Sequence, residues 1–263
     1  MSEIDRKLEM YDAVWASYNQ LFDSMVDNDW TVQSLCPDWD VRGAIVHVFG
    51  VEHALDGWFP ESVETPVPFD KVAAYAELTS SMSADELVAD CRRLMALRRE
   101  QIAALSDDDL AKPSMTPVGP GTYGRFLDIR VFDFWVHERD VRIPLARPAG
   151  SDGGPDAVRS LDEVAMSIGY IAGKKVGLPD GQSISFRLTA PVERTVNVAV
   201  DGRAAAVETL QNPTAVVTTD STTFVMLACG RIDPEEQIAN GKISWSGDEA
   251  LGEKAARNLR FTM

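Results

Sequence analysis

Apolar residues recur at alternating spacings of three and four over residues 4–26, where Ile4, Leu8, Tyr11, Trp15, Tyr18, Phe22 and Met25 form one stripe. That period predicts a long helix with a single buried face. A second helix is expected from about Asp40 to Trp58, with Pro37 and Asp38 ahead of it and Asp40 as its N-cap. After Pro60, Pro66 and Pro68, the run Ser83-Ala-Asp-Glu86 reads as a capping box. It opens a third helix with Leu87, Cys91, Leu94, Arg98, Ile102 and Leu105 on one side, ended by Asp107-Asp-Asp109 and a loop from Pro113 to Gly121. A fourth runs from about Tyr123 to Ile143, and Pro144 and Pro148 close it. Four helices of about twenty residues each predict a bundle.

Beyond residue 150 the pattern changes. The segment Ala146-Arg-Pro-Ala-Gly-Ser-Asp-Gly-Gly-Pro155 is rich in Gly and Pro, and it sets the expected boundary between a domain at 1–150 and a second at 151–263. One helix (Asp156 to Val176) leads into strict alternation at Ser183-Ile-Ser-Phe-Arg-Leu188 and Thr195-Val-Asn-Val-Ala-Val200, followed by a hairpin turn at Asp201-Gly202. Further strands are expected at 203–209, 214–218 and 242–245, with a short helix from Ser221 to Cys229 and a terminal helix from Asp248. The fold class is therefore α+β: a helical bundle followed by a smaller domain with a mainly antiparallel sheet.

Composition narrows the function. With 25 Lys and Arg against 41 Asp and Glu, the formal net charge of −16 repels phosphate backbones and anionic lipid surfaces, so neither nucleic acid nor membrane is expected as a partner. The sequence holds no apolar run of membrane-spanning length, and its first residues are expected to begin an acidic amphipathic helix instead of a basic stretch followed by an apolar one. Three widely spaced cysteines, Cys36, Cys91 and Cys229, without a CxxC pair fit a reducing cytoplasm. The apolar stripes account for the bundle without a spare apolar face, so a monomer is the default expectation.

The chemistry concentrates in two helices. Asp133-Phe-Trp-Val-His137 sets a carboxylate four residues before an imidazole, and at roughly 100° per residue both side chains share one helix face. Phe132, Trp135 and Val136 around them turn that face toward the bundle interior or its mouth, where a carboxylate needs a partner. His47, on the second helix, supplies a third donor, and two imidazoles with one carboxylate are a donor set for zinc or a similar divalent ion with open positions for catalysis. His53 lies roughly 120° around the helix from His47 and is read as a non-ligand. Asp140 is placed to hold a ligand and not to be one. Arg130, one turn before Asp133, is the candidate catalytic cation for a substrate carboxylate, or else a salt bridge with Asp128 or Asp133. Glu52 and Glu138 are read as solvated helix charges, Cys36 as a small buried hydrophobe, and Trp15, Trp39, Trp58 and Trp135 chiefly as core.

Three stretches carry a resemblance: Ser34-Leu-Cys-Pro-Asp-Trp-Asp-Val41 leading into Ile45-Val-His47; Arg130-Val-Phe-Asp-Phe-Trp-Val-His137-Glu-Arg-Asp-Val-Arg142; and Cys229-Gly-Arg-Ile with Ser246-Gly-Asp248. Over nearly its whole length the chain resembles the mycothiol-dependent maleylpyruvate isomerase family. The resemblance implies a DinB-like metal-binding four-helix bundle joined to a smaller domain similar to sterol carrier proteins. It implies His47, Asp133 and His137 as ligands to a divalent metal, usually zinc, and mycothiol as the thiol cosubstrate. The family pattern has Glu where this chain has Asp133, one methylene shorter, which draws the metal closer to its helix or weakens its hold.

A bound divalent cation favours thiolate over thiol, and that thiolate attacks a small-molecule electrophile. It either stays, as in an S-transferase, or adds, permits rotation about a former double bond and leaves, as in a cis–trans isomerase. Two other classes fit the same residues: a carrier whose C-terminal domain holds a hydrophobic ligand, and a metal-dependent hydrolase in which water takes the thiol's place.

Overall fold

A computed structural model describes residues 1–148 and 152–261. The chain divides into two compact units, Met1–Arg159 and Ser160–Met263. The Gly- and Pro-rich segment in which the sequence places the boundary includes residues 149–151, which lie outside the described residues.

In the first unit the predicted helical stripes form. Helix α1 (Glu3–Ser24) starts at a capping box, with Ser2 accepting from the Asp5 amide and Asp5 reaching back to Ser2. A 3₁₀ turn at Asp27–Thr31 precedes α2 (Val41–Ala54), whose N-cap is Asp40, as the sequence predicts. Helix α3 (Asp70–Thr79) falls where only a proline-rich connection is expected; its buried residues are few, Tyr75 and Thr79, too sparse a stripe to read. Helix α4 (Ala84–Ala103) begins at the Ser83/Glu86 capping box, and a single turn, α5 (Asp107–Leu110), follows. The expected loop from Pro113 to Gly121 is instead a hairpin of β1 (Pro113–Thr116) and β2 (Gly119–Thr122). Its strands are four residues each and contain Pro and Gly, which hides any alternation; Gly119, at φ 109°, supplies the turn. Helix α6 (Tyr123–Arg142) completes the unit, capped by Thr122. The long helices α1, α2, α4 and α6 pack on one another, with α1 against α4 and α6 and with α2 against α4 and α6.

The core of this unit is aromatic. Tyr18, Phe49 and Phe134, from α1, α2 and α6, meet edge to face with centroids 5.4–5.6 Å apart. Tyr11 and Tyr18 donate their hydroxyls to the carbonyls of Leu127 and Phe134, each at 3.2 Å, which fixes α6 against α1 along its length.

The predicted helix from Asp156 to Val176 is broken into α7 (Pro155–Met166), a short turn α8 (Ile168–Tyr170) and a π-helical segment at Ile171–Val176. The break falls at Ser167, and within the run a Cβ at Gly169 would lie 2.8 Å from the Ala204 carbonyl oxygen, so this close approach admits only glycine. The sheet contains β3 (Ser183–Thr189), β4 (Arg194–Asp201), β5 (Arg203–Val207) and β6 (Ala215–Asp220). After α9 (Ser221–Ala228) and α10 (Pro234–Ala239) come β7 (Ile243–Gly247) and the last helix, α11 (Glu249–Arg257). The strand order is β5-β4-β3-β6-β7, antiparallel except for the central parallel pair β3–β6, so the expected antiparallel-rich α+β fold is the one observed. Phe186, in register with Val196 and Val217, packs on Phe224 of α9. Among the described residues no helix is long and apolar enough to cross a membrane.

Candidate metal centre

The site is built on α2 and α6 and on the tight loop that leads into α2. Ser34 organises that loop, donating to the Trp39 carbonyl at 2.7 Å and accepting from the Cys36 amide at 3.1 Å. The Gln33 side chain donates to the Cys36 and Trp39 carbonyls, each at 2.8 Å. The Leu35 amide then donates to the Asp140 carbonyl at 3.0 Å, which ties the loop to the end of α6. Asp40 accepts from the Gly43 amide at 2.7 Å and starts α2, so His47 follows two turns into a capped helix.

His47, Asp133 and His137 come together, each offering one ligand atom, with all three atoms within 4.8 Å of one another. His47 is half-buried, the Asp133 side chain is 31% exposed, and His137 is buried, so the cluster opens to one side. His137 Nδ1 lies 2.9 Å from Asp140 Oδ2 and donates to it; Nε2 lies 3.4 Å from Asp133 Oδ1. The ring is thus oriented with Nε2 on the side of the cluster. Two imidazoles and a carboxylate with a solvent-facing side are a donor set that a borderline divalent ion such as zinc accepts.

The electrostatics follow from burial and partners. Desolvation alone would depress the His137 imidazolium, but Asp133 and Asp140 on its two nitrogens reverse this and raise its pKa well above the ordinary histidine value. Desolvation likewise opposes ionisation of Asp133, and there the Arg130 guanidinium and the two histidines win, holding the carboxyl well below the usual range.

Arg130 is buried, and each of its three guanidinium nitrogens meets an acceptor. Nε donates to Glu52 Oε1 at 2.9 Å, Nη2 to the Val48 carbonyl at 3.0 Å, and Nη1 to Asp133 Oδ2. Arg130 makes the salt bridge with Asp133, and Asp128 pairs with Lys7.

Several residues differ from their sequence reading. Glu52 and Glu138 are not solvated helix charges: both are buried, and each is paired with two arginines. Glu52 takes Arg130 on one oxygen and Arg98 on the other at 2.9 Å each, and Glu138 takes Arg142 at 2.6 Å and Arg139 at 3.1 Å. Trp39 is not core but stacks on the His47 ring, with centroids 4.3 Å apart and planes inclined by 25°. Trp135 is core, lying under the Arg139 guanidinium at 3.4 Å. Cys36 is buried as expected, yet it has a histidine neighbour the sequence does not show: its Sγ lies 3.8 Å from His137 Nδ1 and donates to Asp140 Oδ2 at 3.1 Å. Cys36, His137 and Asp140 therefore form a second group of potential donors behind the first. His53 faces away and packs on Tyr75.

A helical unit carrying a two-histidine, one-carboxylate cluster, followed by an α+β unit with an antiparallel-rich sheet, defines the class. Residues 11–142 match the family described as the mycothiol maleylpyruvate isomerase N-terminal domain, and residues 160–254 match the MDMPI C-terminal domain. The chain belongs to the mycothiol-dependent maleylpyruvate isomerase family. The crystal structure of the mycothiol-dependent maleylpyruvate isomerase is similar in fold, with a TM-score of 0.58 at 15% identity over 99% of this chain and 100% of that one. A histidine-to-alanine mutant of that enzyme gives a TM-score of 0.57 with the same identity and coverage. No curated protein matches the sequence.

Proposed function

We propose that the protein is a metal-dependent enzyme that uses mycothiol as a nucleophile on a small electrophile, either isomerising it about a double bond or accepting it in an S-transfer. The observation that carries this reading is the convergence of His47, Asp133 and His137 within 4.8 Å on a face open to solvent, in a chain of this family. With His137 neutral, as ligation of an ion requires, Asp133, Glu52 and Asp140 against Arg130 and Arg98 leave that region with one net negative formal charge. A divalent ion held by His47, Asp133 and His137 supplies a Lewis acid and turns that charge positive, which favours an anionic thiolate over a neutral thiol beside it.

The protein's own residues prepare the site. Asp140 holds His137 by Nδ1, and Trp39 covers one face of His47 and keeps water from it. In isomerisation the mycothiol sulfur forms a bond to one carbon of an activated double bond, whose π electrons move onto the activating group. The remaining single bond turns, and the sulfur leaves with the pair it brought, so no atom is gained or lost. In S-transfer the sulfur stays and the neighbouring carbon takes up a proton.

The test is turnover of maleylpyruvate and of simple electrophiles with and without mycothiol. Thiol-dependent turnover that His137→Ala abolishes is the expected result. Equal turnover without thiol would replace this reading with hydrolysis.

A carrier reading has one observation of its own, a cavity of about 670 Å³ within the Ser160–Met263 unit, of a size suited to a small ligand. Met166, Leu178 and Val200 give it apolar walls, and its charged lining residues are Lys174 and Arg203. An apolar anion fits that lining. Saturable binding of a fluorescent fatty acid, weakened by Arg203→Glu, would support the carrier reading, and absence of saturable binding would remove it.

A further inference from the structure

Asp133 presents two oxygens, and they are not equivalent: Oδ1 faces His137 Nε2 while Oδ2 is taken by Arg130. A half-exposed aspartate on a helix surface has rotamer freedom of its own, so what holds Arg130 decides where Oδ1 points. Arg130 is held from α2: its Nε by Glu52 and its Nη2 by the Val48 carbonyl. Val48 and Glu52 flank one turn of the helix that carries His47. The same contacts that fix the guanidinium thus carry the position of one ligand helix to the ligand of the other. Burying Glu52 as an ion is costly, and its partners offset that cost without making it a better core residue than an apolar one. Its position beside the ligand helices gives that expense a use.

We infer that Glu52 is a positioning residue of the metal centre, acting through Arg130 to hold Asp133 with one oxygen directed at the ion. The inference rests on the metal reading above, and the experiment separates the two. Metal-stripped protein is titrated with zinc against a chromophoric chelator, and with cobalt(II) to record its visible spectrum. Glu52→Gln keeps shape and removes charge; we expect zinc affinity to fall by about 10- to 100-fold and the cobalt bands to shift. Arg130→Lys, which keeps charge but cannot span both carboxylates, should do the same, and it decides the matter if Glu52→Gln does not fold. Lys7→Gln breaks a buried ion pair, with Asp128, that shares no partner with Glu52, and should leave zinc affinity within about threefold of wild type. A Glu52→Gln protein with unchanged affinity and spectrum overturns the inference while the metal reading stands. Equal losses in Lys7→Gln and Glu52→Gln mark general loosening and also overturn it. Wild-type protein that takes up neither metal overturns the metal reading, and this inference with it.

Discussion

His137 stands between Asp133 and Asp140, and the raised pKa that follows makes a proton the natural competitor of a metal ion. A histidine whose folded-state pKa lies above its unfolded one stabilises the metal-free protein below the unfolded value, and that contribution is lost as pH rises through the folded value. Metal ligation needs the neutral ring, so zinc affinity should increase with pH up to the folded pKa, with about one proton released per ion from His137. Calorimetry in buffers of different ionisation enthalpy measures that proton. Asp140→Asn removes one of the two carboxylates and should move the pH dependence to lower pH; an unmoved profile would show that Asp140 does not hold the proton on the ring. At this scale the sequence revealed what helix geometry alone decides: Asp133 and His137 four residues apart, with His53 turned away from His47. It concealed Glu52, Trp39 and Cys36 because their roles come from contacts between segments. Glu52 reads as one more helix carboxylate until Arg98 and Arg130 arrive from two other helices. Cys36 has no cation beside it in sequence, but it has His137 beside it in space.

Helix α2 is short for its task, and its start matters more than its length. Asp40 both caps the helix and closes the loop that carries Trp39 and Cys36, so Asp40→Ala should cost about 1 kcal/mol in denaturant unfolding and also weaken zinc binding. Ser83→Ala, at the capping box of α4, should cost about the same and leave zinc binding alone. Equal effects of both on zinc would mean that the loop's geometry does not reach the site. The elements legible in the sequence are those whose apolar period or capping box is self-contained: α1, α2, α4, α6 and the alternating strands β3 and β4. Those missed lack such a signal. Helix α3 buries few side chains, the β1–β2 hairpin is made of four-residue strands, and the break at Ser167 after α7 interrupts an apolar stripe that itself continues.

For the whole molecule, we propose that the boundary lies in the Gly- and Pro-rich run at 146–155, with each part carrying its own core. A fragment of residues 151–263 should fold alone with the circular dichroism of a mixed sheet and a cooperative denaturant transition; a fragment that stays unfolded would mean the sheet depends on the helical unit. Everything proposed for the site depends on His47, Asp133 and His137 holding a divalent ion, which elemental analysis of protein purified without chelator, wild type beside His137→Ala, measures. About one zinc or similar ion per wild-type chain and none in the variant is expected; a wild-type chain that stays metal-free even after reconstitution, or a variant that keeps its ion, would overturn the metal site.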